Sequence, residues 1–158
     1  MIAGSGCAGY RLGPTKGQSF GEHSVQVTPF ANQTIEPRLS DAITHSLRKS
    51  IQQDGTYRLN TGQDADIVLS GSIVHYDRVQ LARQPTDVLT ATQYKIIITA
   101  QVTARERLSG KVVLNRRVSG QSTLFVGTDL PSAERQTLPL AAEDLARNIT
   151  GLLVDGEW

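Results

Sequence analysis

The chain carries one cysteine in 158 residues. A lone thiol closes no intramolecular disulfide and completes no Cys-x-x-Cys metal or redox motif. Charge of either sign is not in excess: the formal net charge is +1, which supplies no whole-protein electrostatic argument for a nucleic-acid partner. Aromatic residues make up only 5% of the chain, too few for a base-stacking platform. No apolar run approaches the roughly 18–20 residues that a membrane-spanning helix requires.

Motifs that carry chemistry are also missing. There is no Walker loop and no Gly-x-Ser-x-Gly elbow. His23, His45 and His75 are scattered without the spacing of metal ligands. Asp64 and Asp66 precede a strand with no second carboxylate pair opposite them, and His75 with Asp77 lacks a nucleophile. Gly4-x-Gly6-x-x-Gly9 matches the dinucleotide fingerprint in letters only, because no strand precedes it and no helix follows. These absences argue against an enzyme, and no cofactor or metal is expected.

What is present fits one soluble-type domain: 39% hydrophobic and 20% charged residues in a chain long enough for a core of its own. The lone Cys7 follows Ala3, Gly4, Ser5 and Gly6, and a Gly-rich run comes after it. It is a nucleophile, a buried spectator or an attachment point, and its small neighbours favour attachment of a lipid. The residues before it hold neither a basic stretch nor an apolar core of about 7–15 residues, so the coding sequence is expected to continue upstream of Met1 with Lys or Arg and a Leu-rich run. A stop codon directly before Met1 would contradict this. Residues 1–6 are then the remnant of a signal peptide, 7–21 the lipid-attachment site and a flexible linker, and 22–158 a single α+β domain.

Within that domain, Ser24 to Phe30 alternates as a short strand that Pro29 ends or places at an edge. From Glu36 to Gln53 the period changes. Leu39, Ile43, Leu47 and Ile51 recur every fourth residue, Pro37 suits a first turn and Asp54-Gly55 a stop, so an amphipathic helix is predicted. Asp66 to about Leu81 reads as a long strand, with Gly71 at a bulge or a close approach. Ala82 to Gln93 reads as an exposed loop. Tyr94 to Arg107 alternates most clearly, with Ile97 the exception on its polar face.

Parity decides the next turn. A two-residue Ser109-Gly110 turn would set Val102 against Arg117, whereas a three-residue Leu108-Ser109-Gly110 turn pairs Ala104 with Leu114 and Ala100 with Val118. The latter is predicted, with Gly110 left-handed. The fourth strand runs from Lys111 to about Gly120, with a continuation through Thr123-Leu124-Phe125-Val126 as the alternative end. A final helix spans Ser132 to Val154, starting near Pro131, with Pro139 kinking it or delaying its regular part to Thr137.

The expected fold is an α+β two-layer sandwich: a mostly antiparallel four-stranded sheet with two helices packed on one face, in the order β-α-β-β-β-α. One charge cluster stands out. Arg105, Arg107, Lys111, Arg116 and Arg117 fall close together around the predicted hairpin, opposed only by Glu106. Guanidinium groups converging at one end of a sheet could hold phosphates, against the plainer possibility of a solvated hairpin tip.

Cys7-Ala8-Gly9-Tyr10-Arg11-Leu12 resembles the Cys-Gly-Tyr-x-Leu start of mature LPS-assembly lipoproteins, the LptE family. The element order, the strand Tyr94 to Ala100 entered from a loop, and the Ala-rich segment Leu140-Ala141-Ala142-Glu143-Asp144-Leu145-Ala146 are similar too. The chain departs from the pattern in its extra Ala8. This resemblance implies an outer-membrane protein, lipid-anchored at Cys7 on the periplasmic side, that plugs the LptD β-barrel, helps it assemble and binds lipopolysaccharide. It would make the basic hairpin the contact for lipid A or core phosphates. Two other classes stay open: another lipid-anchored periplasmic binding or scaffold domain, and an uncatalogued enzyme.

Overall fold

The computed structural model describes residues 23–82, 92–126 and 129–156. The elements are β1 (Ser24–Val27), β2 (Ala31–Asn32), α1 (Leu39–Asp54), β3 (Arg58–Leu59), β4 (Ile67–Ala82), β5 (Thr92–Glu106), β6 (Val112–Val126) and α2 (Leu130–Asp155).

The two helices and the β4-β5-β6 meander are those the periodicity predicts, but the sheet is not a mostly antiparallel four-stranded one. It is mixed and has six strands, in the order β3-β1-β4-β5-β6, with β2 also pairing β4. β1 runs parallel to both β3 and β4, and β2 runs parallel to β4. The cause is connectivity. α1 carries the chain from β1 back across the sheet, and a strand reached through such a crossover re-enters parallel to the one it left. β2 and β3 contribute two residues each, too short for any period to show.

α1 buries its predicted stripe. Leu39, Ile43 and Leu47 are fully buried and Ile51 nearly so, each contributing about 1.5–3 kcal/mol by leaving water. The helix starts later than Glu36, because Asn32 organises the preceding turn, accepting from Thr34 N–H and donating to the Glu36 carbonyl. It stops at Gly55, whose φ of 79° lets its N–H reach the Ile51 carbonyl at 3.2 Å. α2 begins at Leu130 with proline in its first turn, and continues through Pro139. That residue supplies no N–H to the preceding turn, and it is exposed.

The meander follows the predicted parity. Ala104 faces Leu114 and Ala100 faces Val118. The tip is one residue longer than predicted: Glu106 N–H bonds the Lys111 carbonyl, Gly110 N–H bonds the Glu106 carbonyl, and a shift in register after Ala104 absorbs the extra residue. Gly110 is left-handed at φ 72°. At Gly71 it is close approach that matters, since a Cβ there would meet the ring of Phe30 and the Gln101 carbonyl; the shifts in β4 lie between Ile73 and His75 and between Gln80 and Ala82.

Register then sorts the two faces. Ile67, Leu69, Ile73, Ile96, Ile98, Ala100, Val102, Ala104, Val118 and Leu124 form the inner face under the helices, and all are buried. The opposite face mixes hydroxyl and amide side chains with charged residues and with the apolar Val79, Ile97 and Phe125. Thr99 pairs Ser119 with their oxygens 3.0 Å apart, and Gln101 donates to Asn115 at 2.8 Å. Ile97, the exception in the sequence pattern, lies on this face beside Asp77 and Gln121.

Candidate functional site

The hairpin that joins β5 to β6 carries the predicted basic cluster, and the structure divides its members. Arg105 is exposed on the open face and donates to the Gly110 carbonyl at 3.1 Å, bracing the turn. Arg107 leaves the tip. Its backbone N–H bonds the Asp66 carbonyl at 2.9 Å and its Nε the Ala65 carbonyl at 3.0 Å, tying the hairpin to the start of β4. Lys111 is exposed at the tip. These three residues share one end of the sheet.

Arg116 and Arg117 do not join them there. They face Val102 and Gln101, five and six positions beyond Lys111, or roughly 17–20 Å at about 3.3 Å per residue. Alternation sends Arg116 toward the helix side and Arg117 toward the open side of β6. Cys7 lies outside the described residues.

Beneath the tip, on the inner side of the sheet, is a cavity of about 360 Å³. Buried Tyr57 and Ile67 and the half-buried Val113 line it, with His23, Asp66, Glu106, Leu108 and Lys111 around them. Asp66 is held in place by a reciprocal arrangement with Ser24: its carboxylate accepts from Ser24 N–H at 2.9 Å and Oγ at 3.2 Å, and its own N–H donates to Ser24 Oγ at 3.0 Å. The Ser24 backbone N–H, first among the causes, keeps the Asp66 carboxyl below the usual aspartate value. Burial, then the nearby Asp54 charge, pushes the Tyr57 phenol up to about 12. The cavity therefore combines an apolar floor, a fixed carboxylate and the ammonium of Lys111.

A second polar cluster gave no signal in the sequence. Tyr76 donates to one Glu134 oxygen, Arg78 bonds the other at 3.0 Å, and the Arg78 guanidinium stands 6.0 Å from the ring centre of Tyr94. Burial foremost, and then the bond to Glu134, raises the Tyr76 phenol well above its ordinary value. The cluster pins the start of α2 to β4 across 58 positions of chain, a separation no local pattern reveals.

The three histidines stay apart. His23 Nδ1 lies 4.0 Å from Asp66, His45 is exposed on α1, and His75 is exposed on the open face with Asp77. Among the described residues, no group of three His, Cys, Asp or Glu side chains could hold a metal ion, and no helix is long and apolar enough to cross a membrane.

The family model described as LptE, lipopolysaccharide-assembly, matches residues 23–151. Comparison with curated protein sequences finds no match. Among solved structures, protein CT253 of Chlamydia trachomatis is similar with a TM-score of 0.60 at 11% identity, covering 86% of this chain and 96% of that one. Protein XCC0632 of Xanthomonas campestris gives 0.58 at 12% identity, with 89% of each chain covered. A structure described as a lipoprotein from Caulobacter crescentus gives 0.54 at 14%, covering 79% of this chain and 87% of the other. At these identities the likeness is one of fold.

Proposed function

This chain belongs to the LptE family of lipopolysaccharide-assembly proteins, and from that premise we propose that it is an outer-membrane lipoprotein of the lipopolysaccharide-transport machinery, a plug and assembly partner for an LptD-type β-barrel. The observation that carries the proposal is the family match, which takes in every strand and nearly all of α2. Cys7 is the anchor. Two or three acyl chains there, at ~0.8 kcal/mol per buried methylene, make attachment effectively permanent, and hold the domain on the periplasmic side.

The surface chemistry supports a plug. The middle of the open face of β4-β5-β6 carries a band of hydroxyl and amide side chains, Ser70, Ser72, Thr99, Gln101, Thr103, Asn115 and Ser119, the kind of surface that suits the polar, hydrated interior of a large barrel. The role is binding and scaffolding, without catalysis.

Lipopolysaccharide is the second partner, through its phosphates. Arg105, Arg107 and Lys111 are the first candidates, because they share one end of the sheet and all three are exposed there. Arg116 and Arg117 lie too far along β6 to complete the same grip. Reversal of charge at Arg105, Arg107 and Lys111 should weaken lipopolysaccharide binding, and the loss should shrink as salt is added. Unchanged binding removes the hairpin from the account and leaves the barrel partnership in place. Separately, Cys7→Ser should move the protein from the membrane to the soluble periplasmic fraction; a variant that stays in the outer membrane would remove the anchor.

A further inference from the structure

β6 is the last strand of the sheet and pairs on one side only among the described residues. Its outer side is not uniformly bare. Gln121 N–H donates to the Asp144 carboxylate at 2.9 Å, and Asn148 Nδ2 donates to the Ser119 carbonyl at 2.8 Å. Both partners come from α2, whose side chains stand where a neighbouring strand would be. They also show which backbone groups point outward: those of Ser119 and Gln121, and by the two-residue period those of Asn115 and Arg117. Inward bonding at the Glu106–Lys111 pair and the register of β5 with β6 give the same assignment.

α2 therefore closes the middle of the edge and leaves the stretch from Asn115 to Arg117 open. Four backbone groups there, two N–H and two C=O, point to solvent. The open stretch has ends of its own, the register shift next to Val112 on one side and the α2 contacts at Ser119 on the other. Arg116 and Arg117 are exposed, project to opposite faces, and have no carboxylate within ion-pair distance among the described residues. Exposed Val112 adds apolar surface where the stretch begins.

We propose that Asn115–Arg117 is a strand-addition site for a short extended segment of a partner protein carrying two adjacent acidic residues. An added strand takes its main-chain hydrogen bonds from Asn115 and Arg117. Its side chains alternate between faces, so two consecutive carboxylates meet Arg117 on the open face and Arg116 on the helix face. The partner is acidic because the two arginines of the open stretch have no ion-pair partner among the described residues. This goes beyond the plug proposal and does not depend on it, since the site needs only an extended acidic segment.

The test uses the full chain and a fluorescently labelled six-residue peptide with two central glutamates flanked by valine and threonine. Anisotropy should report binding, and amide exchange at Asn115 and Arg117 should slow with peptide while that at Gln121 stays as it was. Arg117→Pro removes the outward N–H together with the guanidinium, while the inward N–H groups of β6 that bond β5 are kept; it should weaken binding at least fivefold beyond Arg117→Ala, which removes the guanidinium alone. Arg116→Glu with Arg117→Glu should weaken it at least tenfold. The unchanged exchange at Gln121 certifies that each variant is folded.

Equal binding by the Arg117→Pro and Arg117→Ala variants, equal binding of a peptide with glutamines in place of the glutamates, or no binding at all overturns the proposal. So does concentration-dependent slowing at Asn115 and Arg117 without peptide, which would make a second copy the occupant. Slowing by lipopolysaccharide but not by peptide would overturn it too, and assign these arginines to phosphate instead.

Discussion

Gly120 of β6 lies against the backbone nitrogen of Leu145 of α2, so close that a Cβ on Gly120 would overlap Leu145 N, Cα and Cβ together. This is where the helix layer comes down on the sheet. The contact sets the height of α2 over β6, and that height brings Asp144 and Asn148 within reach of the strand's outer edge.

Substitution at two glycines should therefore move stability in opposite directions. Gly120→Ala forces α2 away from β6 and should cost about 2 kcal/mol or more, as overpacking against backbone does. Gly151, also in α2, has open space where a Cβ would stand, with no atom within 4 Å; Gly151→Ala should stabilise by about 0.5–1 kcal/mol through the helix alone. Chemical denaturation of both variants checks the pair.

Uncovering the edge should have a cost and a symptom. Asp144→Ala or Asn148→Ala leaves one outward backbone group of β6 without its α2 partner, at about 0.5–1.5 kcal/mol each. The longer bare edge should also promote strand-to-strand association between molecules. Light scattering across a concentration series should rise for the double variant and stay flat for the parent.

Stability should fall at both ends of the pH scale for identifiable reasons. The Tyr57 phenol is raised from 10.0 to about 12, and Tyr76 is raised further in the same direction. For both, the folded value exceeds the unfolded one, so the contribution is whole below about pH 10 and is lost as pH climbs through the folded values. Tyr57→Phe with Tyr76→Phe should flatten this alkaline limb in urea midpoints. Asp66 has the opposite sign: its folded value is lowered, so its contribution is whole above the ordinary aspartate value and is lost as pH falls through the folded one. Asp66→Asn should flatten the acid limb.

Much of the fold was legible because single elements carry their own period. The four-residue spacing of Leu39 to Ile51 and the alternation of Tyr94 to Ala104 mark α1 and β5, and parity alone yields the Ala104–Leu114 register. The tip escaped by one residue because the register shift after Ala104 preserves the apolar pairs and so leaves no trace in them. β2 and β3, and with them the parallel half of the sheet, depend on contacts between segments that are individually too short to declare themselves.

The candidate site was legible only as composition. The five cations were visible as a cluster, but their division between tip and edge follows from strand alternation and from the capture of Arg107 by the Ala65 carbonyl. By helical spacing Asp144 and Asn148 fall on the polar side of α2, away from Leu145 and Ile149. They meet β6 across 23 and 29 positions, and nothing in helical spacing distinguishes a residue facing water from one facing a strand edge.

The central claim is the partnership with a barrel, and a pull-down from solubilised outer membranes with a tag after Trp158 tests it most directly. The account predicts that one large outer-membrane β-barrel copurifies in near-stoichiometric amount and survives high salt. Recovery of the lipid-anchored chain from the outer membrane with no barrel attached would contradict it.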